Sequence, residues 1–343
     1  MAEIKRQTEL DILRLLATLA VIMIHGGLNP LTDNLMIKYM YRGMHAAIVW
    51  CVPVFFMISG RFFLDPERDV SAKKILTVYL PHIIVPFLVW SGVYTAYGLI
   101  SGSYSHLSTF GVIAEFIHGP YHLWFLYSLA GLYLFTPILR KAAADGKTLA
   151  YFLIMFAAVN VVTQYLIYVP KIGGMISDFI ERTGLRAVTG YMGYFMLGYF
   201  LYSKKDNMSK KTETAIYVIG ILMLIATIAA ECFISEELRK TDFVKQYMKP
   251  NVILYSAAIY TFFVMKMSKI YYSERTRKVF AVFTECGFGV YCIHAILNEF
   301  VPTPVIKSLP FITSLLRVAC LYALSLALTW LIRKIPFVGK KIT

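Results

Sequence analysis

Long apolar runs separated by short polar stretches recur along the whole chain. They fall at about 10–28, 46–64, 80–101, 121–138, 149–169, 186–203, 213–234, 250–268, 282–301 and 311–333, each near the roughly 20 residues that a helix needs to cross a hydrocarbon core. Within lipid a single segment satisfies its own backbone hydrogen bonds only as a helix. The pattern therefore predicts an all-α fold, a polytopic transmembrane helical bundle of about ten spans. No Ser/Gly/Pro-rich linker or long polar block interrupts it, so residues 1–343 read as a single membrane domain, with no appended soluble domain expected. The first run lacks an A-x-A-like cleavage site and is interrupted by a charge, which makes it a permanent span and not a removable signal peptide.

Basic residues orient the bundle. With the N-terminus cytoplasmic, cytoplasmic segments hold about 22 Lys and Arg and external ones about 10, with Arg14 and Arg317 inside spans. Ten spans then place both termini in the cytoplasm. The chain has 343 residues, 58% of them hydrophobic and 16% charged, with a formal net charge of +14. That composition excludes a soluble domain and makes the lipid bilayer the first partner. The charge reads mainly as a topology signal and calls for no nucleic acid. The expected location is a cell membrane, crossed many times, of the bacterial plasma-membrane type. Five cysteines lie in or beside apolar runs without C-x-x-C spacing, so they read as core packing.

Three ionisable residues stand inside the first run: Asp11, Arg14 and His25. At 100° per residue, His25 lies about 40° from Asp11 and about 20° from Arg14, so the three share one face. His25 is about 16 Å of rise beyond Arg14. Ionisable groups in a bilayer are costly and mark function by default. The plainer reading is an Asp11/Arg14 pair at the headgroup boundary with one satisfied histidine. Two further histidines, His122 at the start of the fourth span and His294 in the ninth, fall at a depth similar to His25 in this topology. The three are expected to line one polar chamber, with Trp124 and Tyr291 beside them; Tyr291 and His294, three apart, share a helix face. Histidine suits proton transfer near neutral pH. Metal is not expected, because neither H-x-x-x-H nor a carboxylate-rich pattern is present. The external stretch Ser101–Pro120 has no Lys or Arg and is a candidate lid.

Toward the cytoplasm, the second span ends in Ser59-Gly60-Arg61, followed by Lys73 and Lys74. Glycine permits close backbone approach and arginine clamps phosphate, which suits an anionic cosubstrate. Helix packing by Gly60, with Arg61 snorkelling to lipid phosphate, is the alternative.

The ordered set Leu10-Asp11-Ile12-Leu13-Arg14 with His25, Val54-Phe55-Phe56-Met57-Ile58-Ser59-Gly60, His122-Leu123-Trp124-Phe125-Leu126 with Pro137, Gly198-Tyr199, and Phe288-Gly289-Val290-Tyr291 with His294 resembles the acyltransferase-3 family of integral membrane acyltransferases. The resemblance implies an O-acyltransferase that moves an acyl group, usually acetyl, from a CoA thioester to a hydroxyl of an exported or lipid-linked glycan, cell-wall polymer or similar acceptor. It implies that His25 assists transfer, with Arg14 and Asp11 in the same functional stripe. Ser59, Gly60, Arg61, Lys73 and Lys74 are then expected at the coenzyme, and His122, Trp124, Tyr291 and His294 at the acceptor. Acetyl-CoA is the expected cosubstrate. Two other classes compete: a proton-coupled transporter of small solutes such as amino acids, using the same intramembrane charges, and a membrane scaffold or sensor without turnover.

Overall fold

The computed structural model describes residues 6–27, 34–234, 245–302 and 310–343. Among them there is no strand, and thirteen helices run to ten residues or more. In chain order they are α1 (Thr8–Ile22), α2 (Leu35–Ile48), α3 (Cys51–Phe63), α4 (Pro81–Ile100), α5 (Thr109–His118), α6 (Trp124–Ala144), α7 (Gly146–Gln164), α8 (Gly173–Arg182), α9 (Tyr191–Ser203), α10 (Lys210–Phe233), α11 (Pro250–Met265), α12 (Glu274–Phe300) and α13 (Pro310–Ile332). The described chain falls into two compact units. The first takes the described parts of Met1–Arg68 and Ile138–Val282; the second takes those of Asp69–Pro137 and Phe283–Thr343.

Starts of helices follow short polar residues, as capping requires. Asp145 accepts hydrogen bonds from the Thr148 hydroxyl at 2.6 Å and from the backbone N–H of Thr148 and Lys147 ahead of α7, and these, the hydroxyl first, hold its carboxyl below the usual carboxylate range. Asn34, Ser108 and Ser209 cap α2, α5 and α10 in the same way, and Pro250 opens α11 where its missing N–H is not needed.

Nine described stretches are long and apolar enough to cross a membrane, against the ten read from the sequence. The difference lies at 186–203. There a 3₁₀ turn, Leu185–Val188, and Gly190 at φ +96° break the run, leaving the 13 residues of α9. At 1.5 Å per residue that is roughly 20 Å, short of a hydrocarbon core of about 30 Å. The second stretch is longer than expected: α2 and α3 together cover Leu35–Phe63, and α2 carries Lys38, Arg42 and His45 as well as the buried residues Tyr41, Gly43 and Ala46. Leu28, the last residue of the first expected span, lies outside the described residues.

In the first unit α3 packs tightly on α9, and two glycines make this possible. A Cβ on Gly60 would stand 1.8 Å from the carbonyl oxygen of Phe195, and one on Gly198 would stand 2.1 Å from that of Met57. Lipid offers no hydrophobic drive between helices, so such backbone contact supplies dispersion in its place. In the second unit the stretch after α4 folds back as α5 on α4. Ser91 donates to the carbonyl of Phe116, and Gly119, at φ +68°, passes beside the ring of Phe87.

Candidate functional site

The α1 stripe begins at a buried carboxylate. Asp11 accepts from Arg6 Nε at 2.6 Å and from Arg14 Nη1 at 3.2 Å, so its charge is compensated from both sides. Arg14 then leans over the ring of Phe62, 5.1 Å from the centroid. Arg61 lies 5.6 Å and Arg68 4.3 Å from the same ring. Three guanidiniums therefore surround one phenyl group, each within cation–π range.

Arg61 is held further. It pairs with Asp65 one turn on and stacks over Tyr202 of α9 at 3.4 Å. Lys205 also reaches Tyr202, donating to its hydroxyl at 3.2 Å. Arg140 donates to the carbonyls of Phe63, Asp65 and Arg68 and so closes the open C-terminal end of α3. Six cations, Arg6, Arg14, Arg61, Arg68, Arg140 and Lys205, thus gather around three carboxylates, Glu9, Asp11 and Asp65. The remaining positive charge favours an anion. Buried polar atoms here that lack a hydrogen-bond partner among the described residues include Arg61 Nε and the hydroxyl of Tyr260, which lies within electrostatic reach of Arg61, Arg14 and Tyr202. Buried polar groups are rarely left unpaired, so these atoms fit a phosphate-bearing ligand.

At the other end of the stripe α1 changes its winding. Met23–Gly27, with His25 at its centre, forms a π-helical turn with wider i→i+5 bonding. Gly26 and Gly27 are buried on this turn, and Ile24 packs toward the cluster of Val49, Val252 and Tyr255. His25 itself is half-buried.

The second unit holds a separate polar centre. His122 and His294 are both buried, with ring centroids 5.2 Å apart. Tyr94, Tyr121 and Tyr291 stand edge-on around His122 at 5.2, 5.4 and 5.6 Å. The hydroxyl of Tyr291 donates to the backbone carbonyl of His122. His294 Nδ1 lies 2.6 Å from the carbonyl oxygen of Tyr291, and since that oxygen only accepts, Nδ1 carries the proton. In the neutral ring Nε2 then holds the lone pair. Trp124, next to this group in sequence, packs edge-on against Phe125 at 6.3 Å.

The structure thus brings Asp11, Arg14 and Arg61 together in the first unit, with His25 about three turns beyond Arg14 on the same helix and Ser59 half-buried on α3. The space beside Gly60 is taken by the backbone of Phe195. In the second unit it brings together His122, Tyr291 and His294, while Lys73 and Lys74 belong to that unit's first turn, where Lys74 pairs with Asp69 and a second π-helical turn, Ile75–Tyr79, follows. Sequence reasoning missed Phe62, Arg140 and Tyr202, and did not count Arg68 and Lys205 among the site residues. The seven-residue spacing of Arg61 and Arg68 around an aromatic was the available signal. Among the described residues no three His, Cys, Asp or Glu side chains gather in a way that suits a metal ion.

The profile of the acyltransferase-3 family, described as an acyltransferase domain, matches residues 7–334. No curated protein and no solved structure matches the chain.

Proposed function

Because the chain belongs to the acyltransferase-3 family, and so is a membrane acyltransferase, we propose that it moves an acetyl group from a cytoplasmic CoA thioester to a hydroxyl of an exported or lipid-linked glycan, cell-wall polymer or similar acceptor. The observation that carries this reading is the arginine cluster around Phe62, with the buried Arg61 Nε and Tyr260 hydroxyl that no described residue satisfies. A nucleotide with several phosphates is the cytosolic anion that suits such a cluster, and Arg14, Arg61 and Arg68 would grip it.

His25 is the general base of this reading. It takes the proton of the acceptor hydroxyl as that oxygen bonds to the acyl carbon, then returns it to the departing sulfur as the carbon–sulfur bond breaks. The thioester supplies an activated acyl carbon. Asp11 keeps Arg14 in place, and Arg61 is oriented by Tyr202 and Asp65. Lys73 and Lys74 are proposed to add to coenzyme binding, and His122, Trp124, Tyr291 and His294 to acceptor binding. Both termini are proposed to be cytoplasmic and the membrane to be a bacterial plasma membrane. Residues 1–343 would act as one acyltransferase domain.

Donor binding to the purified full-length protein in nanodiscs tests this directly, using acetyl-CoA against acetyl-pantetheine, which lacks the nucleotide phosphates. The wild type should bind acetyl-CoA at least about tenfold more tightly, the equivalent of one charge-assisted contact. Arg61→Gln and Arg68→Gln should erase that preference. Equal affinity of the wild type for both donors would overturn the assignment of the cluster.

A further inference from the structure

Away from the arginine cluster, the first unit contains a cavity of about 330 Å³. His45 and Val49 from the end of α2, Gln164 closing α7, Tyr191 opening α9 and the residues from Lys245 to Met248 ahead of α11 line it. In a chain this apolar the lining is unusual: imidazole, amide, phenol and ammonium groups stand beside the apolar Val49 and Met248. The volume lies at the lower end of the range of small-ligand sites.

The wall is built and fixed by contacts that helix packing alone does not require. Lys245 Nζ pairs at 3.2 Å with Glu231, a carboxylate almost wholly removed from solvent. Burying such a pair is costly, and a well-packed apolar pair would serve stability as well or better. Lys249 Nζ donates to the carbonyl of Gln164 at 2.6 Å and lies 4.8 and 5.2 Å from the rings of Tyr165 and Tyr168, which pins the end of α7. Tyr191 stacks on Phe56 with ring centroids 4.3 Å apart, and the carbonyl of Tyr247 accepts from Tyr194. Tyr247, its ring 6.5 Å from that of Tyr191, packs in turn against the cluster of Val49, Val252 and Tyr255.

The cavity also adjoins the end of α1. Val49 lines it and belongs to the buried cluster with Val252 and Tyr255, against which Ile24 and Tyr247 pack. Ile24 is the residue before His25 on the π-helical turn.

We propose that this cavity is an acceptor subsite that takes one saccharide unit. The tyrosine rings offer apolar faces to the C–H side of a pyranose, while Gln164, Gln246, Lys245 and His45 offer donors and acceptors to its hydroxyls. The proposal rests on the reading of the chain as a glycan-directed acyltransferase and names the residues that would select the acceptor.

The test uses the full-length protein in nanodiscs, with N-acetylglucosamine, glucose, galactose and glucuronate as probes and thiol release from acetyl-CoA as the first readout. Lys245→Met and Gln246→Ala should each raise the acceptor KM about tenfold, the loss of one hydrogen bond of about 1.4 kcal/mol, and leave the donor KM unchanged. An acceptor KM within twofold of wild type in both variants overturns the subsite while leaving acyl transfer in place. The second readout is independent of turnover. Gln246 is exposed, and in Gln246→Cys the maleimide labelling rate should fall at least threefold with the saccharides and stay constant with CoA. Wild-type protein that releases no thiol with any probe refutes the glycan reading. Labelling that no saccharide slows refutes the subsite.

Discussion

Gly60→Ala should loosen the first unit and weaken its hold on the donor together. The new Cβ would stand 1.8 Å from the carbonyl oxygen of Phe195, and an ordinary carbon–oxygen contact is about 3.3 Å, so α3 and α9 must part by about 1.5 Å. A gap of half to one ångström already forfeits roughly a quarter to a half of each dispersion contact across it. Overpacking of this kind costs about 1–3 kcal/mol, and a backbone carbonyl that cannot swing aside puts Gly60 at the upper end. Arg61 is the next residue, and its partner Tyr202 lies one turn past Gly198, so the separation also draws the guanidinium off its ring. Gly131→Ala is the control: a Cβ there meets nothing within 4 Å, and alanine should add up to about 1 kcal/mol of helix stability in α6. Thermal unfolding of the full-length protein in one detergent, followed by tryptophan fluorescence, should show Tm falling by several degrees for Gly60→Ala and holding or rising for Gly131→Ala. Donor KM should rise only in the former. If Gly60→Ala unfolds at the wild-type temperature with an unchanged donor KM, the close α3–α9 contact does not position Arg61.

Three further outcomes follow from named contacts. Asp11→Asn leaves Arg6 and Arg14 without their shared countercharge, so donor binding and Tm should both change, by contrast with Glu274→Gln, whose pair with Lys278 is exposed on both sides; equal effects would remove any special role for Asp11. Charge reversal at Lys73 and Lys74 should raise the donor KM severalfold with little change in kcat, because uniform binding is lost, and an unmoved KM would assign these lysines to lipid or topology. Burial pushes the Lys249 ammonium down to about 8 from an ordinary value of 10.5. Between these values the unfolded chain binds more protons than the folded one, so this residue makes stability rise with pH from about 8 to 10.5. In Lys249→Met that rise in Tm should vanish; its persistence would place its origin elsewhere.

The helices and their rough limits were legible because an apolar run of about 20 residues has few alternatives, and Asp145, Ser209 and Pro250 announce their helices by residue type. The break before α9 was not, since Gly190 sits in an apolar run and its positive φ leaves no mark on composition. Asp11 and Arg14 were read as sharing one helix face, and their ion pair is the contact that the plainer reading of that stripe named. The π-helical turn at His25 was invisible, as i→i+5 bonding has no residue signature. Arg61 was singled out by its neighbours Ser59 and Gly60, yet what holds it is Tyr202, 141 positions away on another helix. A contact between remote aromatics and cations leaves no periodicity in one chain, which is why Tyr202 went unread. The ring contacts of His122 with His294 belong to the same class, though both residues were named from their surroundings.

The central claim, that a base on the first helix drives acyl transfer, is tested most directly by radiolabel transfer from acetyl-CoA in proteoliposomes holding wild-type or His25→Ala protein at matched amounts. Loss of a general base should lower kcat by roughly 10² to 10⁴ with donor affinity retained. The wild-type rate should also fall at acidic pH, because the base must be unprotonated. Turnover by His25→Ala within a few-fold of wild type, with an unchanged pH profile, would contradict the account.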